Sequence, residues 1–195
     1  MKNFARAAAC VLAAGALSVV TAVPSMAATA ELNITYSCNF TLIGAQDTPT
    51  TVTSSDATDS ATVGVPTAVS NNTVKSTVSE SATNVLAWLG AKSVDGTLTT
   101  QVKVTNGSAT QTVSSVATIP NTAVPSSGTF TVTAAGTMPA LTLTEAGTAS
   151  ISLGNSELKL TPRLANGDPT WLGTVTNQCT VKAGQNTVFH TFPVA

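Results

Sequence analysis

From Glu31 to Leu42 the chain alternates without a fault. Leu32, Ile34, Tyr36, Cys38, Phe40 and Leu42 interleave with Glu31, Asn33, Thr35, Ser37, Asn39 and Thr41. Side chains of a β-strand point to opposite faces in turn, so a run of this kind is a strand with one dry face and one wet face. A segment of this length needs a sheet to pair with and a core to cover, which commits the chain to a β architecture.

The same period returns along the sequence. Val94, Leu98, Val102 and Val104 share parity, as do Phe130, Val132 and Ala134, then Leu141 and Leu143, then Ala149, Ile151 and Leu153, then Leu158 and Leu160. Thr occupies many of the outward positions, as suits a β-branched residue on a pleated surface. Asn106-Gly107, Glu145-Ala146-Gly147, Gly154-Asn155-Ser156 and Asn166-Gly167-Asp168 supply turn residues between these runs. Residues 46–69, rich in Thr, Ser, Asp and Pro, predict one or two irregular strands and a loop. One segment departs from period two. Ala82, Val85, Leu86 and Leu89 fall at helical spacing between a capping Ser79 and a terminating Gly90, which predicts one short helix at an inter-strand crossover. Short strands with regular turns and a single helix read as an all-β fold, a single β-sandwich with Ig-like Greek-key connections.

The first residues read differently. Lys2 and Arg6 precede an uncharged apolar run from Ala7 to Val20, Pro24 breaks it, and Ser25-Met26-Ala27 places small residues before a cut. This is the pattern of a secretory signal peptide, residues 1–27, with cleavage after Ala27; Ala28-Thr29-Ala30 permits a second cut before Glu31. The β-sandwich domain is then residues 28–187, followed by a C-terminal tail, 188–195. No later stretch is apolar for long enough to span a bilayer, so no membrane association is expected after cleavage.

Export makes the cysteines informative. Cys10 leaves with the signal, and Cys38 and Cys179 remain. An even count in an oxidising compartment predicts one disulfide joining the start of the domain to its end. Loop-closure entropy alone gives a bridge over so long a loop up to roughly 5 kcal/mol. Neither Cys lies in a C-x-x-C or beside a basic residue, as a reactive thiol would.

The side-chain inventory removes several function classes. Only 9% of the chain is charged, with 8 Lys+Arg against 9 Asp+Glu and a single His. Eight scattered cations make no nucleic-acid footprint. A hydrolytic triad would have to use His190, close to the C-terminus, and no G-x-S-x-G is present to present a serine. A carboxylate pair would have to be drawn from Asp95, Glu145, Glu157 and Asp168, all in or beside turns, where acids are ordinarily solvated turn formers. Asp56 and Asp59 would be the start of a calcium loop, but no Gly-punctuated acidic loop completes the 6–8 oxygens calcium takes. No catalytic residue, metal ligand or cofactor site is therefore assigned. Sugar binding on a β surface would use an exposed aromatic. Tyr36 belongs to the inward face of its strand and Trp88 to the helix beside Leu89, which leaves Trp171, after Gly167-Asp168-Pro169-Thr170, as the candidate ligand contact, with packing in the core or in a hinge as its alternative. Asn33, Asn71 and Asn106 open N-x-[ST] sequons that a Thr/Ser-rich chain generates by chance.

Six landmarks stand in order: YSCNFTLIG at Tyr36–Gly44, TVGVPT at Thr62–Thr67, WLGAKSVDGT at Trp88–Thr97, the long run Ile119–Asn155, LTPRLANGDPTWLGT at Leu160–Thr174, and GQNT at Gly184–Thr187 after the second Cys. In these the chain resembles the actinobacterial secreted domain of unknown function numbered 6801, from about Glu31 to Thr187. The resemblance implies an exported all-β domain and no particular activity. The expectation is a secreted, non-catalytic binding or structural module acting on an extracellular or cell-wall ligand; a small secreted esterase-like hydrolase is the alternative.

Overall fold

The computed structural model describes residues 28–195. The segment read as a signal peptide lies outside the described residues. The described residues form nine strands and one helix: β1 (Ala28–Phe40), β2 (Gly44–Ala57), β3 (Ser70–Val78), α1 (Glu80–Trp88), β4 (Ser93–Asn106), β5 (Ala109–Ala123), β6 (Phe130–Met138), β7 (Gly147–Arg163), β8 (Val175–Val181) and β9 (Val188–Val194). All-β with one short helix holds; the two-sheet sandwich does not. Neighbouring strands run in the order β4-β5-β6-β3-β2-β1-β8-β7, and β4 also pairs with β7, so eight strands close on themselves as a barrel. The β4–β7 ladder that closes it is antiparallel and runs from Ser93↔Arg163 to Asn106↔Ala149.

The correction has a physical reason. Alternation specifies one buried face per strand, and a sandwich and a barrel satisfy it equally. What separates them is whether the two edge strands meet, a pairing between segments far apart in sequence that leaves no local trace. Strand length gave a further hint. β7 is continuous from Gly147 to Arg163, although Gly154-Asn155-Ser156 reads as a turn. Those residues form a bulge instead: the β4 partners skip between Thr100 and Val102. An extra residue switches which parity faces inward, and Ala149, Ile151 and Leu153 before the bulge give way to Ser156 and Leu158 after it. Gly136 is needed for close approach, because a Cβ there would strike the backbone of Val116 and Ala117 on β5.

The connections explain how the barrel ends are covered. β1-β2-β3 and β4-β5-β6 are two antiparallel meanders, joined by β3 pairing with β6. β3 and β4 therefore lie apart around the wall, and α1 crosses one mouth to link them. Ser79 caps α1, its Oγ accepting from the Ala82 N–H, and Gly90 follows the helix at φ 76°. At the opposite mouth residues 139–146 link β6 to β7. Leu141 and Leu143, which share parity like a strand, form none; they are buried and tied to the β2–β3 loop by Thr67 N–H to Leu141 O and Gly64 N–H to Leu143 O.

One further expectation holds and one is corrected. Residues 46–57 form one strand, regular as far as Ser54 and shifted in register against β1 between Ser54 and Ala57, and a loop follows it. They belong to the fourteen-residue β2, whose inward positions Thr50, Val52, Ser54 and Ala57 are too small and polar to announce themselves. Residues 188–194 are not a tail. They form β9, which pairs with Gly147–Ser152 on the edge of β7 that β8 occupies at Ser156–Leu160. Phe189, Phe192 and Val194 of β9 are buried in the common core. Two phenylalanines at spacing three, rather than at strict alternation, concealed the strand; the β7–β9 register shifts by one residue between Ile151 and Ser152.

Candidate functional site: a cavity under the helix

An eight-stranded barrel is just wide enough to be filled by side chains or to hold one small ligand. This one keeps its enclosed apolar space at the end covered by α1. Between the barrel wall and α1 lies a cavity of about 120 Å3. Its roof is the inner face of α1, Ala82, Val85, Leu86 and Leu89, at helical spacing on one side of the helix. Its walls include Val74, Leu98, Ile119, Phe130 and Leu158, and Leu42 and Ile43 from the β1–β2 turn lie at its edge. No Asp, Glu, Lys, Arg or His is among the lining residues.

The floor is a layer of polar side chains that satisfy one another. Thr50 Oγ1 and Ser76 Oγ are 3.0 Å apart, Thr100 Oγ1 and Ser156 Oγ 2.9 Å, and the Tyr36 hydroxyl donates to Gly154 O at 3.3 Å. Burial pushes the Tyr36 hydroxyl pKa up, partly offset by Ser156, so Tyr36 is neutral and acts only as a hydrogen-bonding group. Beyond this layer the core is packed by Val102, Val104, Leu153 and Phe189.

One polar group in the wall is left over. Asn177 on β8 is 1% exposed, and its Nδ2 donates to Leu158 O at 3.4 Å while its Oδ1 has no partner. Because Leu158 O can only accept, the amide must present nitrogen to it, and the unpartnered atom is therefore an acceptor. Sequence reasoning missed Asn177. The available signal was its parity: it stands two residues before Cys179 and two after Val175, on the inward face of β8.

The disulfide lies in the same wall. Cys38 and Cys179 are register partners across β1 and β8 and are bonded, S–S 2.04 Å, as the cysteine count predicts. The two tryptophans meet outside. Trp88 and Trp171 are 72% and 70% exposed and contact each other edge to face, with ring centroids 6.2 Å apart. Trp171 is thus exposed, and its neighbour Leu172 lines the cavity; Trp88, read as covered beside Leu89, is equally exposed.

The other candidate groups are engaged structurally. The ring Nε2 of His190 meets Thr58 O at 2.8 Å and the ring stacks near Phe192, with no Ser or Asp among its hydrogen-bond partners. Asp95 forms a bidentate ion pair with Arg163. Asp56 is raised by desolvation, but hydrogen bonds from the Asn71 side chain and backbone and from Ser54 outweigh this and hold its carboxyl below the usual range. Ser108 lowers Glu145 in the same way, and Lys159 and Gln178 lower Glu157. A general acid needs the opposite shift. Asp168 closes a local turn with Asn166. Among the described residues no three His, Cys, Asp or Glu side chains group as a metal site, and no helix is long and apolar enough to cross a membrane. Of the sequon residues, Asn71 is held by Asp56 and Asn106 is buried, accepting from Glu145 N–H.

Neither curated proteins nor solved structures gave a match to this chain. A family of unknown function does match, over residues 35–190, a span that begins in β1, includes both cysteines and reaches into β9. The chain belongs to that family, DUF6801.

Proposed function

We propose that the protein is an exported, non-catalytic binding protein that holds a small apolar molecule in the barrel-end cavity beneath α1. The observation that carries the reading is the contrast between the barrel's two halves. The half beyond the polar floor is filled by Val102, Val104, Leu153 and Phe189 with a gap of about 20 Å3 beside them, and its mouth carries a cleft of about 180 Å3 edged by Asn106, Thr110, Gln111, Thr142 and Thr144. The half under α1 keeps a cavity of about 120 Å3 with an apolar wall and a helical roof. Interiors are ordinarily close-packed, and each unfilled site forfeits dispersion contacts and costs stability. A cavity of about 150 Å3 lined by aliphatic side chains stays dry and takes up benzene, so the volume suits a molecule of about one ring or a short chain. The exposed Trp88–Trp171 pair and Leu42 supply apolar surface outside the cavity for a ligand on its way in.

Export is supported by the Lys2/Arg6 region, the apolar run and the small residues before Ala28, and by a disulfide suited to an oxidising compartment. N-terminal sequencing of protein from the culture medium is expected to begin at Ala28; intact Met1 in a membrane fraction overturns it. Binding is tested by titrating toluene into methyl-labelled protein. Saturable shifts confined to the methyl groups that line the cavity, Val74, Leu98, Ile119 and Leu158 in the wall and Val85, Leu86 and Leu89 in the roof among them, are expected, and their absence rejects the reading.

A further inference from the structure

We infer that the tip of the β1–β2 hairpin is a flap that gates this cavity, with the Gln46–Ser79 hydrogen bond as its latch. The inference rests on the proposed binding role and specifies how a ligand reaches that site. Exposure locates the mouth. Of the residues that line the cavity, only Thr41 and Leu42, at the hairpin tip, are exposed, Leu42 at 43%. The roof is anchored by backbone at both ends. α1 follows directly on β3, whose Val78 pairs with Phe130. Beyond its C-terminus Lys92 N–H donates to Arg163 O at 2.7 Å and Val124 N–H to Lys92 O at 2.9 Å.

The hairpin tip has no such anchorage. β8 pairs with β1 only as far as Cys38, and β3 pairs with β2 only over Thr50–Thr53. Residues 39–49 therefore have no ladder on their outer edges and pair within the hairpin alone. Two side-chain ties hold them laterally. Lys182 Nζ meets Asp47 Oδ2 at 2.7 Å, an exposed ion pair of the kind that contributes little. Gln46 is the other tie. Its Nε2 donates to Ala45 O at 3.0 Å and to Ile43 O at 3.4 Å within the tip, and its Oε1 accepts from Ser79 Oγ at 3.2 Å. The two carbonyls can only accept, which fixes the orientation of the amide. Ser79 Oγ in turn accepts from Ala82 N–H as the cap of α1. One side chain thus joins the flap to the roof, and Leu42 and Ile43 lie over the apolar interior when that bond is made.

Methyl NMR with toluene as the probe tests the gate. In the native protein, relaxation dispersion is expected at Leu42 and Ile43, on the microsecond-to-millisecond scale of gating loops, and not at Val85, Leu86 and Leu89 of α1. Gln46 does not line the cavity, so Gln46→Ala should raise the on-rate and the off-rate of toluene together, about two- to tenfold, the worth of one net hydrogen bond. Kd should stay within twofold. Unchanged rates, or a faster off-rate with a weaker Kd and no change in on-rate, overturn the latch. Flat dispersion profiles at Leu42 and Ile43 overturn the flap, and dispersion in α1 instead makes the roof the moving part. Should Gln46→Ala not fold, the dispersion profiles of the native protein still decide. Saturable toluene binding with either of these negative results rejects the gate and leaves the cavity reading standing. Failure of toluene to bind the native protein rejects the cavity reading itself.

Discussion

Cys38 and Cys179 face each other directly across the β1–β8 ladder, 141 residues apart in sequence and joined by a disulfide. The β1–β8 ladder comprises just Tyr36↔Val181, Ser37↔Thr180 and Cys38↔Cys179, so the bridge staples one of the two short seams of the barrel, the other being the three-pair β5–β6 ladder. Replacing both cysteines by Ser should cost about 2–5 kcal/mol and lower Tm accordingly. Unreduced, denatured native protein should offer no alkylatable thiol from this pair. Two labelled thiols without reductant would reject the bridge.

β9 should be indispensable. It covers the edge of β7 below β8, and it buries Phe189, Phe192 and Val194. Deleting 188–195 removes these aromatics and exposes the β7 ladder, so cooperative unfolding should be lost. Phe192→Ala is the milder version, with an expected cost of about 3–5 kcal/mol. A truncated protein that still melts in one sharp transition would place β9 outside the cooperative unit.

Stability should fall on the acid side. The carboxyls of Asp56, Glu145 and Glu157 have folded-state pKa values below their ordinary ones. A depressed pKa contributes stability that is present above the unfolded value, about 4, and is lost as pH falls through the folded value. Tm should therefore be flat with respect to these groups from neutrality to about pH 5 and decline below it. Asp56→Asn should lower Tm at neutral pH and shallow the acid decline. An unchanged acid limb in this variant would show that the Asn71 and Ser54 hydrogen bonds leave the Asp56 pKa at its ordinary value.

How much of this is visible in the sequence depends on where the information lies. β1, α1 with its Ser79 cap, and the Asn106-Gly107 hairpin are legible because their signals are local: a period, a cap and a turn dipeptide. β3 and β5 carry Ser, Thr and Asn where a stronger strand would carry Val or Ile, so their parity is faint. The bulge at Gly154 mimics a turn because both use the same residues. Barrel closure through β4 and β7, and the cavity it encloses, depend on long-range pairing and on how completely the inward side chains fill the interior. The cysteines were readable as a pair because a disulfide depends on a count and a compartment. Asn177 was not, because a lone Asn acquires meaning only when its neighbours are shown to be apolar.

The most direct measurement fills the cavity from inside. Ala134 on β6 is buried, and its methyl group lines the space beneath α1. Ala134→Met places a flexible apolar side chain there at an expected cost of about 1–3 kcal/mol in overpacking, with the fold checked by its methyl spectrum. Toluene should bind the native barrel saturably at one molecule per chain, and its affinity should fall at least tenfold in the filled variant. Binding that is undiminished by Ala134→Met would put the ligand elsewhere and contradict the account.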